Sequence, residues 1–206
     1  MTKVHTRRER EKIRRRLEIM ATALVLFSEK GYRNVSMREI ASNAEIAIGT
    51  LYKFFLNKED LYKCLLIELS DRFNAALSKA IESPGDEIVK LRRYVQAKGE
   101  LFCNNAVTTR FYFTETRGTS FNIIARLDQD IHKCRERILE PVAEIFKSGI
   151  RTGRLHPIAE PYILSVALES LSNAFLFLWL KNPVTHSYPE DPDIILNIIF
   201  KGLVES

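Results

Sequence analysis

The sequence lacks the short motifs that carry most phosphate-cradling and hydrolytic chemistry. It has no P-loop, no GxSxG, no HExxH and no GxGxxG, so no catalytic constellation is written into it. Cysteine is scarce. Cys64, Cys103 and Cys134 are odd in number and form no CxxC, a pattern of reduced thiols in a cytosolic protein, with redox sensing as the alternative. No apolar run follows the basic N-terminus, so no signal peptide is expected. One stretch, Tyr162 to Leu180, nears membrane length, but Ser165, Glu169, Ser170, Ser172 and Asn173 interrupt it. A spanning helix needs about 20 mostly apolar residues, so this one is read as a buried or interface helix, with no membrane partner. The histidines, His5, His132, His156 and His186, are scattered. Asp128, His132 and Glu136 recur every four residues, a spacing a metal could use, but a single helix face rarely closes a coordination sphere. No metal and no cofactor are expected.

What is present is a charge asymmetry. The chain has 206 residues, room for one or two domains with a sizeable core, and a net charge of +5. Residues 1–63 hold 14 Lys+Arg against 8 Asp+Glu, net +6; the remaining residues hold 17 against 18, net −1. That imbalance points to an anionic partner at the N-terminal end, nucleic acid or a membrane surface, unless the face is simply soluble. Residues 1–16 carry eight basic side chains, Lys3 to Arg16. They are read as a solvated tail or as an arm for phosphates and the minor groove.

The apolar spacing predicts helices throughout. Ile13, Leu17, Met20, Leu24 and Phe27 step by four and three along one face, and Gly31 ends that helix. Ser36-Met37-Arg38-Glu39 is a capping box, and Met37, Ile40, Ala41 and Ala44 make a small apolar face behind it. Glu45-Ile46 forms the turn, with Ile46 expected beneath it. A second short helix is expected from Ala47 or Ile48 to Phe55, with Leu51 and Phe55 inward, and Asn57 caps a third. Helix, short turn, helix is the arrangement that fits an α-helix into a major groove. Gly49 and Thr50 let a backbone approach closely. Tyr52 can bond a phosphate, Lys53 can reach phosphate or guanine, and Lys58 adds charge at a helix N-terminus. The same pattern also suits an ordinary pair of packed core helices.

The run FSEKGYRNVSMREIASNA…IGTLYKFFLNKEDLY resembles the N-terminal domain of the tetracycline-repressor (TetR) family of bacterial transcription regulators. The matching positions are Phe27, Gly31, Ser36, Arg38, Ile40, Ala41, Thr50, Leu51, Tyr52, Phe54, Phe55, Lys58, Glu59 and Leu61. The resemblance implies an all-α fold: a three-helix helix-turn-helix domain at 1–63 and a helical ligand-binding and dimerisation domain at 64–206. It implies DNA contacts from Ser36, Arg38, Ile48, Gly49, Thr50, Tyr52, Lys53 and Phe54, with Lys58 as a phosphate clamp. Three features depart from the family pattern. The turn Glu45-Ile46-Ala47 replaces Gly-Val-Ser, which predicts strain at Glu45 and a missing cap hydroxyl at Ala47. Ile48 and Phe54 are apolar where polar residues are common, so Ile48 would sit against a thymine methyl.

Past residue 58 the periodicity predicts a linking helix to about Lys79, a break at Ser83-Pro84-Gly85, and helices near 86–104, 106–115, 120–152, 160–181 and 192–204. Pro141 is expected to kink the helix at 120–152. The helix 160–181 has two apolar stripes, Leu164/Leu168/Leu171/Phe175/Leu178 and Ile163/Ala167/Ser170/Ala174/Phe177, one for its own core and one for a partner. The resemblance implies a homodimer through the last two helices. It also implies an inducer cavity after residue 86, with Phe102, Phe111, Phe113, Phe121, His132, Asn173 and Phe177 as candidate walls; core packing is the alternative for each. The expected function is a regulator of a double-stranded DNA operator, a repressor released by a small hydrophobic or amphipathic effector. The rivals are a DNA-binding protein of this fold that acts through a protein partner, and an all-helical carrier or enzyme with a vestigial head.

Overall fold

The computed structural model describes residues 6–117 and 128–200, leaving aside the side chains of 114–117, 128–132, 134 and 135. Phe121, Asp128, His132 and Cys134 of the sequence reading lie outside that description. Among the described residues there are nine α-helices and no strand: α1 (Arg7–Lys30), α2 (Met37–Asn43), α3 (Ile48–Leu51), α4 (Lys58–Glu82), α5 (Glu87–Cys103), α6 (Ala106–Arg117), α7 (Asp128–Arg151), α8 (Pro161–Lys181) and α9 (Asp193–Phe200). They form two compact units, Met1–Glu68 with Arg110–Leu127, and Leu69–Thr109 with Asp128–Ser206.

In the first unit, α1 starts at a full capping box. Thr6 Oγ1 accepts from the Glu9 N–H at 3.3 Å, and the Thr6 N–H donates to Glu9 Oε2 at 2.7 Å. The basic run from Arg7 is therefore helical, not a tail. The helix buries Ile19, Met20, Ala23, Leu26 and Phe27, whereas Ile13 and Leu17 are 44 % and 42 % exposed. The expected stripe is on the helix but only its C-terminal half is covered. At 1.5 Å per residue α1 runs about 36 Å, and the α2 that packs on it only about 10 Å. Gly31, at φ 75°, ends the helix with its N–H on the Phe27 carbonyl.

The expected second capping box is half formed. Ser36 Oγ accepts from the Glu39 N–H at 3.1 Å, but the Glu39 carboxylate turns to Lys30 Nζ at 2.6 Å. That hydrogen bond lowers the Glu39 pKa and raises that of Lys30.

α2 then closes in a Schellman motif. The Ile46 N–H donates to the Ala41 carbonyl at 3.0 Å and the Glu45 N–H to the Ser42 carbonyl at 3.1 Å. The left-handed position of that motif is Glu45, at φ 52°, where glycine would be unstrained. Ile46 is only half-buried, and Ala47 caps α3 with no side-chain hydrogen bond. α3 is a single turn, shorter than the sequence suggests, because the Lys53 and Phe54 N–H groups bond to Thr50 and Leu51, three residues back. Leu51 and Phe55 are buried as expected. Glu45→Gly is expected to stabilise the first unit by about 1 kcal/mol and Ala47→Ser by a similar amount, read as a rise in denaturation midpoint for each variant.

α4 is capped by Asn57, whose Oδ1 accepts from the Asp60 N–H at 2.8 Å. Beneath these helices four rings cluster. Tyr62 lies 5.6 Å from Phe27, 4.9 Å from Tyr32 and 5.2 Å from Phe111 between ring centroids.

In the second unit, α7 packs on α8, α5 lies against both, and α9 covers α8 and α5. α7 stays helical through Pro141. α8 is long and apolar enough to cross a membrane by length and composition, yet it carries a buried carboxylate. Glu169 Oε2 is 2.6 Å from Lys98 Nζ, accepts a short hydrogen bond from the Tyr94 hydroxyl, and its Oε1 accepts from Asn173 Nδ2 at 3.2 Å. Of the first apolar stripe of α8, Leu164 and Leu168 are buried, Leu171 and Phe175 half-buried, and Leu178 exposed. Of the second, Ile163, Ala167, Ser170 and Ala174 are exposed and Phe177 is half-buried. Gly99 of α5 permits a close approach: a Cβ there would stand 2.4 Å from the ring of Tyr188. That ring is buried, and its hydroxyl donates to the Val95 carbonyl at 3.1 Å.

Candidate nucleic-acid interface

α2, α3 and the start of α4 surround an open groove of about 680 Å³. Its lining comprises Arg33, Asn34 and Val35 from the turn after α1, Ser36, Met37 and Arg38 at the start of α2, Ile48 and Tyr52 around α3, and Lys58 at the start of α4. Five of the nine residues expected from sequence therefore meet in one concavity: Ser36, Arg38, Ile48, Tyr52 and Lys58. Gly49, Thr50, Lys53 and Phe54 lie on the same α3 segment but do not line it. Arg33, Asn34, Val35 and Met37 are the lining residues that sequence reasoning missed. Their signal was position alone, inside the stretch between Gly31 and Arg38 that carries the resemblance.

The groove combines three cations with two exposed apolar surfaces, Ile48 at 39 % and Tyr52 at 52 %. Cations suit phosphate, and the apolar surfaces suit sugar and thymine methyl groups. Ser36 already spends its hydroxyl on the cap of α2, but a hydroxyl keeps a donor free for a phosphate oxygen. Lys58 is bound within the protein: its Nζ donates to the Tyr32 and Val35 carbonyls at 2.8 Å each and stands 4.3 Å from the Tyr32 ring centroid. Burial pushes its pKa down.

Gly49 is exposed, and a Cβ there would meet nothing within 4 Å. Among the described residues nothing packs closely enough to require the glycine. Gly49→Ala is expected to leave folding unchanged or raise stability by about 0.5–1 kcal/mol. The same variant should weaken duplex binding if a backbone approaches there. Paired thermal melts and binding curves check both halves.

Elsewhere, the candidate ligand residues divide. Phe111 joins the ring cluster of the first unit, and Phe113 is buried beside Tyr112. In the second unit Phe102 packs on Phe73 at 4.4 Å between centroids, Asn173 holds Glu169, and Phe177 is half-buried. Burial pushes the Cys103 thiol up to about 11 and raises that of Cys64, so neither is a ready thiolate at neutral pH. Among the described residues no cluster of three metal-ligating side chains occurs.

Residues 19–65 match the family model described as bacterial regulatory proteins, tetR family. Among curated proteins, the chain is 24 % identical over 168 residues to the HTH-type transcriptional activator FasR of Mycolicibacterium smegmatis, covering 82 % of this chain and 73 % of that one. It is 20 % identical over 190 residues to the fatty acid metabolism regulator protein of Bacillus subtilis, covering 91 % and 94 %. It is 32 % identical over 108 residues to the transcriptional repressor KstR of M. smegmatis, covering 49 % and 52 %. Among solved structures, FadR from B. subtilis in complex with stearoyl-CoA superposes with a TM-score of 0.80 at 20 % identity, covering 91 % of this chain and 99 % of that one. FadR from Bacillus halodurans gives 0.77 at 19 %, covering 91 % and 98 %.

Proposed function

We propose that this chain, whose residues 19–65 carry the DNA-binding domain of the TetR family of bacterial regulators, is a cytoplasmic repressor that holds a palindromic operator as a homodimer and releases it on binding an acyl-CoA. It is a regulator of transcription and not an enzyme. The observation that carries the reading is the basic groove of α2 and α3, where Arg33 and Arg38 stand with the exposed Tyr52 and Ile48.

One such groove makes few base contacts, and two-fold pairing places two of them on half-sites about 34–36 Å apart, or a multiple of that. The exposed stripe Ile163, Ala167, Ser170 and Ala174 on α8, with Ile194 and Ile198 on α9, supports pairing through these helices. Its small side chains allow close helix approach, and the aliphatic ones supply area. Ala174→Arg is expected to halve the mass in light scattering to that of one 23.8 kDa chain and to cut operator affinity at least 100-fold.

The effector class rests on relatives. One is named a fatty acid metabolism regulator, and a structure of the same fold holds stearoyl-CoA. An acyl chain with a charged head is amphipathic, and Phe102 and Phe177 of the second unit are apolar candidates for its walls. It would act by binding better to the form whose two heads do not fit the operator.

The test selects duplexes from a random library with the full chain, then titrates stearoyl-CoA into the complex. Enrichment of a palindrome, affinity that falls steeply with salt, and release by stearoyl-CoA but not by free CoA are expected. A chain that enriches no sequence overturns the operator reading. A complex indifferent to stearoyl-CoA overturns the effector.

A further inference from the structure

We propose that Lys58 is a positioning residue of the nucleic-acid face, fixing the Tyr32–Val35 segment, and that it does not itself neutralise a phosphate. The proposal rests on the reading of the groove as a duplex-binding surface.

A lysine ammonium has three donors and no acceptor. Two of the three are used inside the protein, on the Tyr32 and Val35 carbonyls at 2.8 Å each. Those carbonyls belong to one short turn, closed by the Val35 N–H on the Tyr32 carbonyl. Lys58 therefore grips both ends of that turn. The Tyr32 ring lies against the ammonium on one side and meets Tyr62, one helical turn further along α4, on the other. The first two turns of α4 thus hold the turn through its backbone and through its ring.

What hangs on the turn is one wall of the groove. Arg33 sits within it. Ser36, the next residue after Val35, caps α2, and Arg38 follows two residues later. The opposite wall, Ile48 and Tyr52, comes from the α3 segment. The separation of these walls decides whether Arg38 and Tyr52 can touch the same duplex together, and Lys58 fixes one of them. A phosphate would have to draw the ammonium away from carbonyls it already satisfies. Burial, which disfavours its charged form, agrees with an ammonium facing into the protein.

Phosphate contact and positioning differ in their salt dependence. A lysine that neutralises a phosphate contributes about one unit to the slope of log affinity against log salt, and its loss removes that unit. A positioning lysine lowers affinity and leaves the slope alone. The experiment compares full-length wild type, Lys58→Met and Arg38→Met on a duplex selected by the wild type, from about 50 to 200 mM salt. Lys58→Met is expected to lose at least tenfold in affinity with the wild-type slope, and Arg38→Met to lower the slope by about one. A drop of about one in Lys58→Met, or undiminished affinity, overturns the proposal.

A second measurement needs no DNA. Amide hydrogen exchange in the free protein is expected to quicken at least tenfold across residues 32–39 in Lys58→Met, with α7 and α8 unchanged. Unchanged exchange in 32–39 overturns the tie. Quickened exchange in a protein that selects no duplex leaves the tie standing and sinks the operator reading and, with it, the role in binding.

Discussion

Lys98→Met alone is expected to destabilise the second unit by about 3–5 kcal/mol, and Lys98→Met with Glu169→Leu to restore most of that loss. Lys98 Nζ and Glu169 Oε2 stand 2.6 Å apart, and both residues are buried. Removing one charge strands the other, whereas removing both leaves no buried charge between α5 and α8 and takes one acceptor each from the Tyr94 hydroxyl and the Asn173 amide.

The pH dependence should change sign between the proteins. In the wild type burial pushes the Glu169 carboxyl up, but the Lys98 charge, its hydrogen bond and those from Tyr94 and Asn173 bring it below 4.5. A depressed carboxyl stabilises above its unfolded pKa, and that stability is lost as pH falls below about 4.5 through the folded value. In Lys98→Met burial dominates, the carboxyl rises, and the protein should gain stability as pH falls from 7 toward 5. Urea unfolding of the three proteins at pH 7, at pH 5 and at about pH 3.5 reads magnitude and sign together. A single variant that loses less than about 1 kcal/mol would mean that water reaches the pair.

The second large effect is expected at Phe27. Its ring is fully buried, 5.7 Å from Tyr32, 5.6 Å from Tyr62 and 6.3 Å from Phe111 between centroids. Phe27→Ala opens a cavity bounded by three rings and should cost about 3–5 kcal/mol; Phe27→Leu keeps most of the volume and should cost less than half of that. Because Tyr32 is one of those rings, Phe27→Ala should also weaken duplex binding at temperatures where the first unit is still folded. Thermal unfolding followed by near-ultraviolet circular dichroism, alongside binding curves, measures both.

Much of the first unit was legible in the sequence because its determinants are local. Gly31 and Ser36 mark boundaries through chemistry confined to a few residues, and both do so in the structure. The strain at Glu45 and the absent cap at Ala47 were equally readable, since backbone conformation at a turn depends on the residue standing there.

What was not legible involves partners distant in the chain or without a side chain. The spacing of Ile13 and Leu17 gives their helix face but not whether anything covers it. Lys58 looked like a surface charge at a helix start, because backbone carbonyls 26 and 23 residues earlier leave no trace in residue identity. Glu39 matched a capping box, yet Lys30 competed for its carboxylate from another helix. Glu169 read as a polar interruption of an apolar helix, and only the fold brings Lys98 to it. Within the groove, Arg33 was hidden because a three-residue turn has no periodicity to mark its exposed side.

The contact between Gly99 and Tyr188 bears on inheritance as well as packing. A side chain at 99 and an aromatic ring at 188 cannot occupy the same space, so the two positions are not free to drift separately. Any descendant of this sequence that acquires a larger residue at 99 must first, or at once, shrink the residue at 188. The order of those two steps is constrained: loss of the ring leaves a tolerable hole, whereas gain of the methyl group leaves a collision. A lineage passing between the two states should therefore run through a small residue at both.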